Sequence, residues 1–460
     1  MTFDLAILGG GPGGYVAAGR AGAAGLSVVL FEKKELGGVC LNEGCIPTKT
    51  LLYSAKVLDY AKHASQYGVT VPEASADIAA VFNRKEKVVK KLVGGVRVQM
   101  RNAGVEVIRE AAVITGRGPS DVFTLQAGEE TYEARNVLIC TGSEAVVPPI
   151  PGLREGLGGV VVTNREILSL AEVPSSLVII GGGVIGMEFA SFFNSIGTQV
   201  TVVEMLPKIL GPMDDEISAM LQAQYQKKGV TFHLGCKVTA VEGNEVVFTS
   251  ADGTESRVAG DRILVSVGRR AVLEGIGLEN IGVELAVNPA GRPYGIKVDA
   301  QMRTSVPGVY AAGDVTGFSM LAHTASREGE VAVNTILGRD DQMRYNAIPG
   351  VVYTNPEVAG VGLTEADAAA AGVAVSVHKL PMAYSGRFVA ENERGEGLCK
   401  VLVSADSGAV LGVHMLGNPC SEIIAAACVA IDRGLGIDAL KEVVFPHPTV
   451  SEIFKETLFA

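Results

Sequence analysis

The sequence lacks a regular framework of cysteines. Its seven cysteines are an odd number, and five of them are scattered along the chain, at positions 140, 236, 399, 420 and 428. A small secreted fold held together by disulfides is therefore excluded. The composition favours a reducing compartment, where a disulfide is more often catalytic than structural.

Long apolar runs are also missing. The strongest run extends from Leu177 to Met187, but glycines interrupt it and Glu188 ends it, so it is too short to cross a bilayer. The chain opens with an apolar strand pattern and has no basic region or small-residue cleavage site there, so we expect no secretory signal. These absences predict a cytoplasmic protein, or one of the mitochondrial matrix if a presequence has been removed.

Basic residues are fewer than acidic ones, 39 against 50, and the net charge is −11. This balance argues against general binding of nucleic acids. Apolar residues make up 48% and charged residues 19% of the 460 positions, which predicts a packed globular protein of three or four domains. Glycine is abundant, with 57 residues, and such an excess suits many tight turns between strands and helices.

Two segments of the chain, residues 3–32 and 176–204, repeat one another. Each has an apolar strand pattern, a glycine turn, a helix of small residues, a second strand and then a glutamate. The glycines of the two copies are Gly9, Gly11 and Gly14, and Gly181, Gly183 and Gly186. The glutamates, Glu32 and Glu204, follow the first glycine by the same 23 residues (32 − 9 and 204 − 181).

The repeated pattern G-x-G-x-x-G, placed between a strand and a helix and followed by an acid, indicates dinucleotide binding. The first glycine allows the turn, the second lets the backbone approach a pyrophosphate, and the third lets helix and strand pack closely. The helix N-terminus attracts the phosphates. The glutamate accepts hydrogen bonds from a ribose 2′-hydroxyl, so Glu204 argues for NAD over NADP. The alternative is two glycine turns without ligands, which two complete copies disfavour.

Cys40 and Cys45 lie in the run GGVCLNEGCIPTK, shortly after the first glycine pattern. Five helical residues rise about 7.5 Å, more than a disulfide spans, so a bond between these cysteines would require a distorted turn, with which Gly44 and Pro47 are compatible. The alternatives are a zinc site, which needs more ligands than the nearby sequence offers, and two unrelated buried cysteines. A helix N-terminus or a nearby cation such as Lys49 lowers the pKa of a thiol, which favours a redox pair.

The rest of the chain divides coarsely by its patterns. Residues 50–105 predict helices, and residues 105–145 alternate as strands do. Three prolines at 148, 149 and 151 indicate a linker, and residues 272–345 contain another strand that ends in a glycine turn. Strands and helices from 346 onwards indicate a separate α+β domain. The predicted fold is therefore α/β, with two Rossmann-like dinucleotide-binding domains and a C-terminal α+β domain.

Together these motifs resemble the flavin-dependent pyridine nucleotide–disulfide oxidoreductases, nearly from end to end. The redox run carries most of the resemblance, and the other matching pieces are TGS (141–143), GGGVIGMEFA (181–190), VGRR (267–270), AAGDV (311–315), MLAH (320–323), YTNPE (353–357) and HPTVSE (447–452). The resemblance implies an FAD-binding domain (1–147), an NAD-binding domain (148–271), a segment that returns to the FAD domain (272–345) and a dimerisation domain (346–460).

The resemblance also implies which residues hold the cofactors. The first glycine pattern and Glu32 would bind the ADP part of FAD, and the further FAD contacts would be Lys49, Thr141, Gly142, Ser143, Asp314, Met320, Leu321, Ala322 and His323. The second glycine pattern would bind NAD, together with Glu204, Val238 and Gly268. Lys49 would lie near the flavin and pair with Glu188. No metal ion is implied.

Four residues would form the catalytic group in such an enzyme. Cys45 would lie next to the flavin, Cys40 would exchange with the substrate, and His447, oriented by Glu452, would act as acid and base. The substrate would be the dihydrolipoamide of lipoyl domains, in 2-oxo acid dehydrogenase complexes or the glycine cleavage system, with NAD+ as the acceptor. Because the His–Glu pair of one subunit serves the other subunit in this family, a homodimer is implied.

Two other functions stay open at this point. One is a related NAD(P)H-dependent reductase of another disulfide or of mercuric ion, although Glu204 disfavours NADPH and no cysteine pair follows position 428. The other is a flavoprotein with a binding or scaffolding role. A scaffold would need neither the two cysteines nor the His447–Glu452 pair.

Overall fold

The computed structural model describes residues 2–118, 120–392 and 395–460. Its helices are α1 (Pro12–Ala23), α2 (Gly38–Asn42), α3 (Cys45–Lys62), α4 (Ile78–Asn102), α5 (Val184–Ser195), α6 (Asp215–Lys227), α7 (Ala322–Ile336), α8 (Glu365–Ala370), α9 (Gly386–Glu391), α10 (Cys420–Asp432), α11 (Ile437–Glu442) and α12 (Glu452–Thr457). Its strands are β1 (Thr2–Leu8), β2 (Val28–Phe31), β3 (Glu106–Ile108), β4 (Ala112–Arg117), β5 (Phe123–Ala127), β6 (Glu130–Ile139), β7 (Ser143–Ala145), β8 (Val161–Val162), β9 (Ser176–Ile180), β10 (Gln199–Glu204), β11 (Thr231–Leu234), β12 (Lys237–Glu242), β13 (Glu245–Thr249), β14 (Glu255–Ala259), β15 (Arg262–Val265), β16 (Arg269–Ala271), β17 (Leu285–Val287), β18 (Pro293–Ile296), β19 (Val309–Ala311), β20 (Gly350–Val352), β21 (Val358–Gly362), β22 (Val375–Pro381), β23 (Leu398–Ser404) and β24 (Val410–Leu416).

The chain forms two units, and each unit is made of three segments. The first unit contains residues 2–50, Phe82–Val146 and Gly268–Arg344. The second unit contains Leu51–Val81, Val147–Val267 and the described part of Tyr345–Ala460. The nucleotide that each predicted domain binds stays a prediction.

A seven-stranded sheet forms the centre of the first unit, in the order β3-β2-β1-β6-β5-β4, with β19 paired to β6. β1 is parallel to β2 and β6, and β19 is parallel to β6. The carboxyl ends of these strands therefore meet at one edge of the sheet, where ligands bind in open α/β sheets. Three motifs of the sequence follow those ends, namely the glycine turn after β1, the TGS run after β6 and the GD turn after β19.

The second unit repeats this construction. Its parallel sheet has the order β11-β10-β9-β15-β8, in which β9, α5 and β10 correspond to β1, α1 and β2 of the first unit. The strands β9 and β10 are buried along most of their length, as is usual for parallel strands that are covered on both faces. An antiparallel sheet of β12, β13 and β14 accompanies them.

The C-terminal segment of the second unit contains an antiparallel sheet, β20-β21-β24-β23-β22. α10 packs on β21 and β24, and α12 packs on β22 and β23. Between these helices and the sheet lies a core of fully buried residues, which includes Val401, Val413, Ala427 and Ile453. α12 is thereby fixed at its position, and Glu452 is its first residue.

The α/β class with two Rossmann-like parts and a C-terminal α+β block is confirmed. The predicted helices and strands between 50 and 145 are α3 and α4, followed by β3 to β7. An antiparallel ribbon of β7 and β16 in the first unit was not predicted. Within the described ranges, none of the helices combines the length and the apolar character that crossing a membrane requires.

Candidate active site

The first glycine of each repeat has a backbone conformation that excludes a side chain. Gly9 has φ +105° and Gly181 has φ +104°. A Cβ at Gly9 would lie 2.2 Å from the carbonyl oxygen of Cys140, and a Cβ at Gly181 would lie 2.6 Å from that of Ser266. Glycine is therefore required for both turns.

The third glycine of each repeat allows the helix to pack on the turn. A Cβ at Gly14 would lie 1.8 Å from the carbonyl oxygen of Gly9, and a Cβ at Gly186 would lie 2.1 Å from that of Gly181. Such distances are far below van der Waals contact, so a larger residue would force helix and strand apart. These glycines serve the fold itself, whether or not a nucleotide is bound.

The second glycine of each repeat has space around it. Gly11 and Gly183 are the N-caps of α1 and α5, with φ −72° in both. A Cβ at Gly183 would meet no described atom within 4 Å, and a Cβ at Gly11 would meet only the Cα of Gly38, at 3.9 Å. In the part of the chain that the structure describes, no side chain caps either helix, so the first-turn N–H groups are left for an anion. The residues present fit a dinucleotide pyrophosphate at each helix.

Glu32 and Glu204 hold the two glycine turns by identical pairs of hydrogen bonds. The Gly10 N–H donates to Oε2 of Glu32 at 2.9 Å, and the Lys34 N–H donates to its Oε1 at 2.7 Å. The N–H groups of Gly182 and Leu206 donate to Glu204 in the same way, at 2.6 and 2.7 Å. Each carboxylate therefore lies beside the turn that precedes its helix, and its contact with a ribose stays a prediction.

The two cysteines lie on consecutive helices. Cys40 is in α2 and Cys45 is the first residue of α3, so the helix is broken between them, as the predicted distorted turn requires. Both are thiols in this structure. A hydrogen bond to Cys45 raises the pKa of Cys40, burial and the Asp314 carboxylate raise it further, and the charge of Lys49 opposes these effects. The first turn of α3 stabilises negative charge on the sulfur of Cys45.

Other predicted FAD residues belong to the same unit, and among them Asp314 acts by its charge on the Cys40 thiol. The Ser143 hydroxyl donates to the Asp314 carboxylate, and the Thr141 hydroxyl donates to the carbonyl oxygen of Val272 at 2.9 Å. Burial raises the pKa of Asp314, while the Ser143 hydrogen bond and the charge of Arg269 oppose this. The run Met320, Leu321, Ala322 and His323 leads into α7, which begins at Ala322.

His447 and Glu452 form a pair in the second unit. His447 Nδ1 lies 2.9 Å from Glu452 Oε1, and the Thr449 N–H donates to Glu452 Oε2 at 2.8 Å. The Thr449 hydrogen bond and then the His447 contact lower the pKa of Glu452. The His447 side chain is 78% exposed. When Nδ1–H donates to the ionised carboxylate, Nε2 is the basic nitrogen of the ring.

The remaining predicted nucleotide residues are distributed over both units. Glu188 is buried in α5 and accepts a hydrogen bond from the Tyr353 N–H at 3.1 Å, in the second unit. Val238 is buried in β12, also in the second unit. Gly268, with φ +116°, begins the last segment of the first unit. The pairing of Lys49 with Glu188 stays a prediction.

The sequence predicted no role for Arg269, although this residue belongs to the run VGRR. In the structure Arg269 is hydrogen-bonded to Ser143, one of the predicted FAD residues. The motif could have indicated that Arg269 has a function, but Ser143, with which Arg269 bonds, lies 126 positions away in the sequence. The described residues contain no group of three or more histidine, cysteine, aspartate and glutamate side chains that could hold a metal ion.

Comparison with known proteins places the chain in a family. Residues 3–329 match the pyridine nucleotide-disulphide oxidoreductases, and residues 348–458 match the dimerisation domain of these enzymes. The chain therefore belongs to the pyridine nucleotide-disulphide oxidoreductase family. The dimerisation domain supports a homodimer.

Individual relatives narrow this similarity. A dihydrolipoyl dehydrogenase of Chlorobaculum parvum is 40% identical over 463 residues, which cover 100% of this chain and 97% of the relative. A dihydrolipoyl dehydrogenase of Bacillus subtilis is 36% identical over 459 residues, which cover 99% and 98%. Among solved structures, LpdA from Mycobacterium tuberculosis has a TM-score of 0.89 at 26% identity, covering 100% of this chain and 99% of its own. The flavoprotein disulfide reductase RclA from Escherichia coli has a TM-score of 0.85 at 28% identity, covering 99% of both chains.

These similarities confirm the expected family, its flavin-dependent oxidoreductase chemistry and its use of FAD and NAD. The role of each site residue in this chain stays a prediction.

Proposed function

We propose that this protein is a dihydrolipoamide dehydrogenase, which oxidises protein-bound dihydrolipoamide to lipoamide with NAD+ as the final acceptor. The observation that carries the proposal is the Cys40–Cys45 pair. Its two thiols are hydrogen-bonded to each other, and Cys45 begins a long helix. Relatives that are 36–40% identical over nearly the whole chain and carry the name dihydrolipoyl dehydrogenase support the choice of substrate.

The two cysteines perform thiol–disulfide exchange when they are oxidised to a disulfide. His447 takes a proton from one thiol of dihydrolipoamide at Nε2, and Glu452 holds the ring through Nδ1. The substrate thiolate attacks the sulfur of Cys40, the Cys40–Cys45 bond breaks, and a mixed disulfide forms between Cys40 and the substrate. The second substrate sulfur then attacks the substrate sulfur of the mixed disulfide, and its proton passes to the departing Cys40 sulfur. The bond to Cys40 breaks, which releases lipoamide and leaves Cys40 as a thiol and Cys45 as a thiolate.

The cofactors would be held by the residues that fit them. The helix that starts after Gly11, with Glu32, Ser143 and Asp314 in the same unit, would hold FAD, and the helix that starts after Gly183, with Glu204, would hold NAD. When bound, FAD supplies the transfer of an electron pair between a dithiol and a nicotinamide. Among the chain's own residues, the start of α3 positions the Cys45 sulfur, and the Ser143 hydroxyl bonds the Asp314 carboxylate.

We also propose the assembly and location that this activity implies. The protein would act as a homodimer, in which His447 and Glu452 serve the cysteine pair of the other subunit. Its partners would be the lipoyl domains of 2-oxo acid dehydrogenase complexes or of the glycine cleavage system. Its bacterial relatives support a cytoplasmic location.

Substitution of the cysteines tests the proposal. Cys40→Ser and Cys45→Ser should each abolish dihydrolipoamide oxidation, while the purified variants stay yellow with bound FAD. Cys428→Ser is the matched control, because Cys428 is a partly buried thiol of the other unit. Reduction of the wild-type protein should also produce a long-wavelength absorption band from charge transfer between the thiolate and the flavin. The Cys45→Ser variant should lack this band. Normal turnover by either active-site variant would contradict the assignment.

A disulfide reductase with another substrate is the second candidate, because the structure of RclA is so similar to this one. The two candidates differ in direction and in coenzyme. A dihydrolipoamide dehydrogenase should reduce NAD+ with dihydrolipoamide and show little activity with NADP+, since Glu204 ends β10 where a 2′-phosphate would require a cation. Preference for NADPH and failure to oxidise dihydrolipoamide would favour the reductase.

A further inference from the structure

A chain of hydrogen bonds in the first unit starts at Arg269 and ends at Asp314. Arg269 donates from Nε to the Ser143 hydroxyl at 2.7 Å and from Nη2 to the Ser143 carbonyl oxygen at 2.8 Å. The Ser143 hydroxyl donates to Oδ2 of Asp314 at 2.5 Å. Because the Ser143 oxygen accepts the hydrogen from Arg269, its own hydrogen is directed at the carboxylate. We call these three residues the Arg–Ser–Asp relay.

The relay sits on the ribbon formed by β7 and β16. Ser143 begins β7 and pairs with Ala271 of β16, while Arg269 begins β16 and pairs with Ala145. Two backbone hydrogen bonds extend the ribbon, from Val146 N–H to Gly268 O and from Val272 N–H to Gly142 O, both at 3.0 Å. The ribbon therefore fixes the register that brings the Arg269 fork onto Ser143.

Burial makes the relay electrostatically important. Ser143 is 6% exposed, and Arg269 and Asp314 are partly buried. Burial alone would favour the protonated form of the Asp314 carboxyl, whereas the Ser143 hydrogen bond and the charge of Arg269 favour the ionised form. The relay thus acts on both the orientation and the charge of this carboxylate.

The backbone at Asp314 is held separately from its side chain. The Gly313 N–H donates to Oε2 of Glu328, a fully buried residue of α7, at 2.6 Å. The Asp314 carboxylate also lies near the thiol of Cys40, on which its charge acts. Groups around Asp314 thus include Arg269 from β16, Cys40 from α2 and, at the neighbouring residue, Glu328 from α7. Loss of Arg269 would leave the turn in place and remove both the group that orients the Ser143 hydroxyl and a positive charge near the carboxylate.

We propose that Arg269 is a positioning residue for the flavin, acting through Ser143 to orient the Asp314 carboxylate and keep it ionised. The inference rests on the proposed function, because it takes Asp314 to accept a hydrogen bond from the ribityl chain of FAD. An ionised carboxylate accepts a stronger hydrogen bond than a protonated one. Arg269 would therefore support FAD binding through the Asp314 carboxylate.

The test measures FAD binding to apoprotein, by recovery of flavin absorbance and quenching of flavin fluorescence. Arg269→Met should raise the Kd for FAD tenfold or more at pH 7. Its affinity should fall further as the pH is lowered, because the pKa of Asp314 is higher without the arginine. Arg269→Lys keeps the charge but loses the two-pronged contact with Ser143, so it should bind FAD with intermediate affinity.

Arg270→Met is the matched control. Arg270 neighbours Arg269 on the same strand, but it is exposed and pairs with Glu144 instead. This variant should bind FAD as the wild type does. Asp314→Asn should bind FAD weakly at every pH, without the pH dependence of Arg269→Met. Equal affinities of Arg269→Met and the wild type, or equal losses in the variants of Arg269 and Arg270, would overturn the proposal.

Two further measurements keep the outcome unambiguous. If Arg269→Met fails to fold, Ser143→Ala and Ser143→Thr ask the same question, since only threonine keeps the hydroxyl that links arginine to aspartate. The melting temperature of each apoprotein shows whether weaker FAD binding comes from loss of the relay, which leaves this temperature unchanged, or from loss of the fold, which lowers it. If the wild type binds FAD but does not oxidise dihydrolipoamide, the proposed function fails while the relay stands, and if it does not bind FAD, both fail.

Discussion

At the scale of single residues, two thiols five positions apart have different surroundings. Cys40 is hydrogen-bonded to Cys45 and partly buried, and both effects raise its pKa. Cys45 is at the N-terminus of an 18-residue helix, whose first turn stabilises an anion. The negative charge of the reduced pair is therefore expected on Cys45. This division matches the proposed roles, in which Cys40 exchanges with the substrate and Cys45 faces the flavin.

The His447–Glu452 pair gives a prediction at the same scale. His447→Gln should lower the rate of reduction by dihydrolipoamide by about 10²- to 10⁴-fold, the usual contribution of a general base. Oxidation of NADH with an artificial dye bypasses the dithiol step and should change little. Both rates are measured on the same preparation by stopped-flow absorbance. Equal loss of both rates would remove His447 from the acid–base role.

At the scale of elements, each strand–turn–helix repeat contains three glycines, and the second has a different role from the first and third. The first and third glycines are required by the packing of the chain. A Cβ at Gly186, for example, would lie only 2.1 Å from the Gly181 carbonyl oxygen. A Cβ at the second glycine, Gly183, would contact no described atom within 4 Å. The open space at Gly183 is what the proposed approach of a pyrophosphate requires.

This difference predicts opposite phenotypes for two alanine variants of α5. Gly186→Ala should destabilise the protein by about 1–3 kcal/mol or more, because the added methyl group overlaps the turn. Gly183→Ala should leave the melting temperature nearly unchanged and raise the Kd for NADH about tenfold, since a methyl group there would meet the pyrophosphate. Calorimetry and a binding titration measure the two effects. Unchanged NADH affinity in Gly183→Ala would argue against a pyrophosphate at this helix.

The same elements show what a sequence can predict. The strand–turn–helix repeats, the helices after the cysteines and the C-terminal strands follow from local patterns, and the structure has them in the predicted places. Contacts such as Ser143 with Asp314 join residues 171 positions apart and leave no periodic trace. For the same reason, no pattern in residues 50–105 indicated that the stretch Leu51–Val81 belongs to a different unit from its neighbours.

At the scale of the whole molecule, a cluster of charges joins distant parts of the second unit, with Lys400 and Asp214 buried and Glu216 and Glu365 partly exposed. Lys400, 1% exposed, contacts Asp214 at 2.9 and 3.0 Å, Glu365 at 2.7 Å and Glu216 at 2.8 Å. Burial lowers the pKa of Lys400, but these three partners outweigh burial and raise it overall. Burial raises the pKa of Glu216, and its bonds to Lys379 and Lys400 outweigh this and lower it.

Lys400→Met should therefore destabilise the protein strongly, by about 3–5 kcal/mol, because Asp214 would stay buried without its partner. Lys379→Met is the matched control, since Lys379 contacts Glu216 from a position that is 39% exposed, and it should change stability by about 1 kcal/mol or less. The melting temperatures of both variants measure the difference. Similar melting temperatures would show that the cluster does not hold the unit together.

The cluster also has a defined pH range. The raised pKa of Lys400 means that its stabilisation is complete below the unfolded value of about 10.4 and is lost as the pH rises through the folded value. The lowered pKa of Glu216 means that its stabilisation is complete above the unfolded value of about 4.3 and is lost as the pH falls through the folded value. The difference in stability between the wild type and Lys400→Met should therefore be constant between about pH 5 and pH 10 and shrink outside that range.

The ribbon of β7 and β16 has a consequence for how such a protein could arise. The chain leaves the first unit after Val146 and re-enters it at Gly268, and these two residues are joined by a backbone hydrogen bond of 3.0 Å. A stretch of polypeptide whose two ends lie side by side can be spliced into a host domain without disturbing the host's own strands. Exchange of residues 147–267 between relatives, as the proposed coenzyme module, would need to match those two junctions and the contacts of this stretch with the rest of the second unit, such as Asp214 with Lys400 and Glu188 with Tyr353.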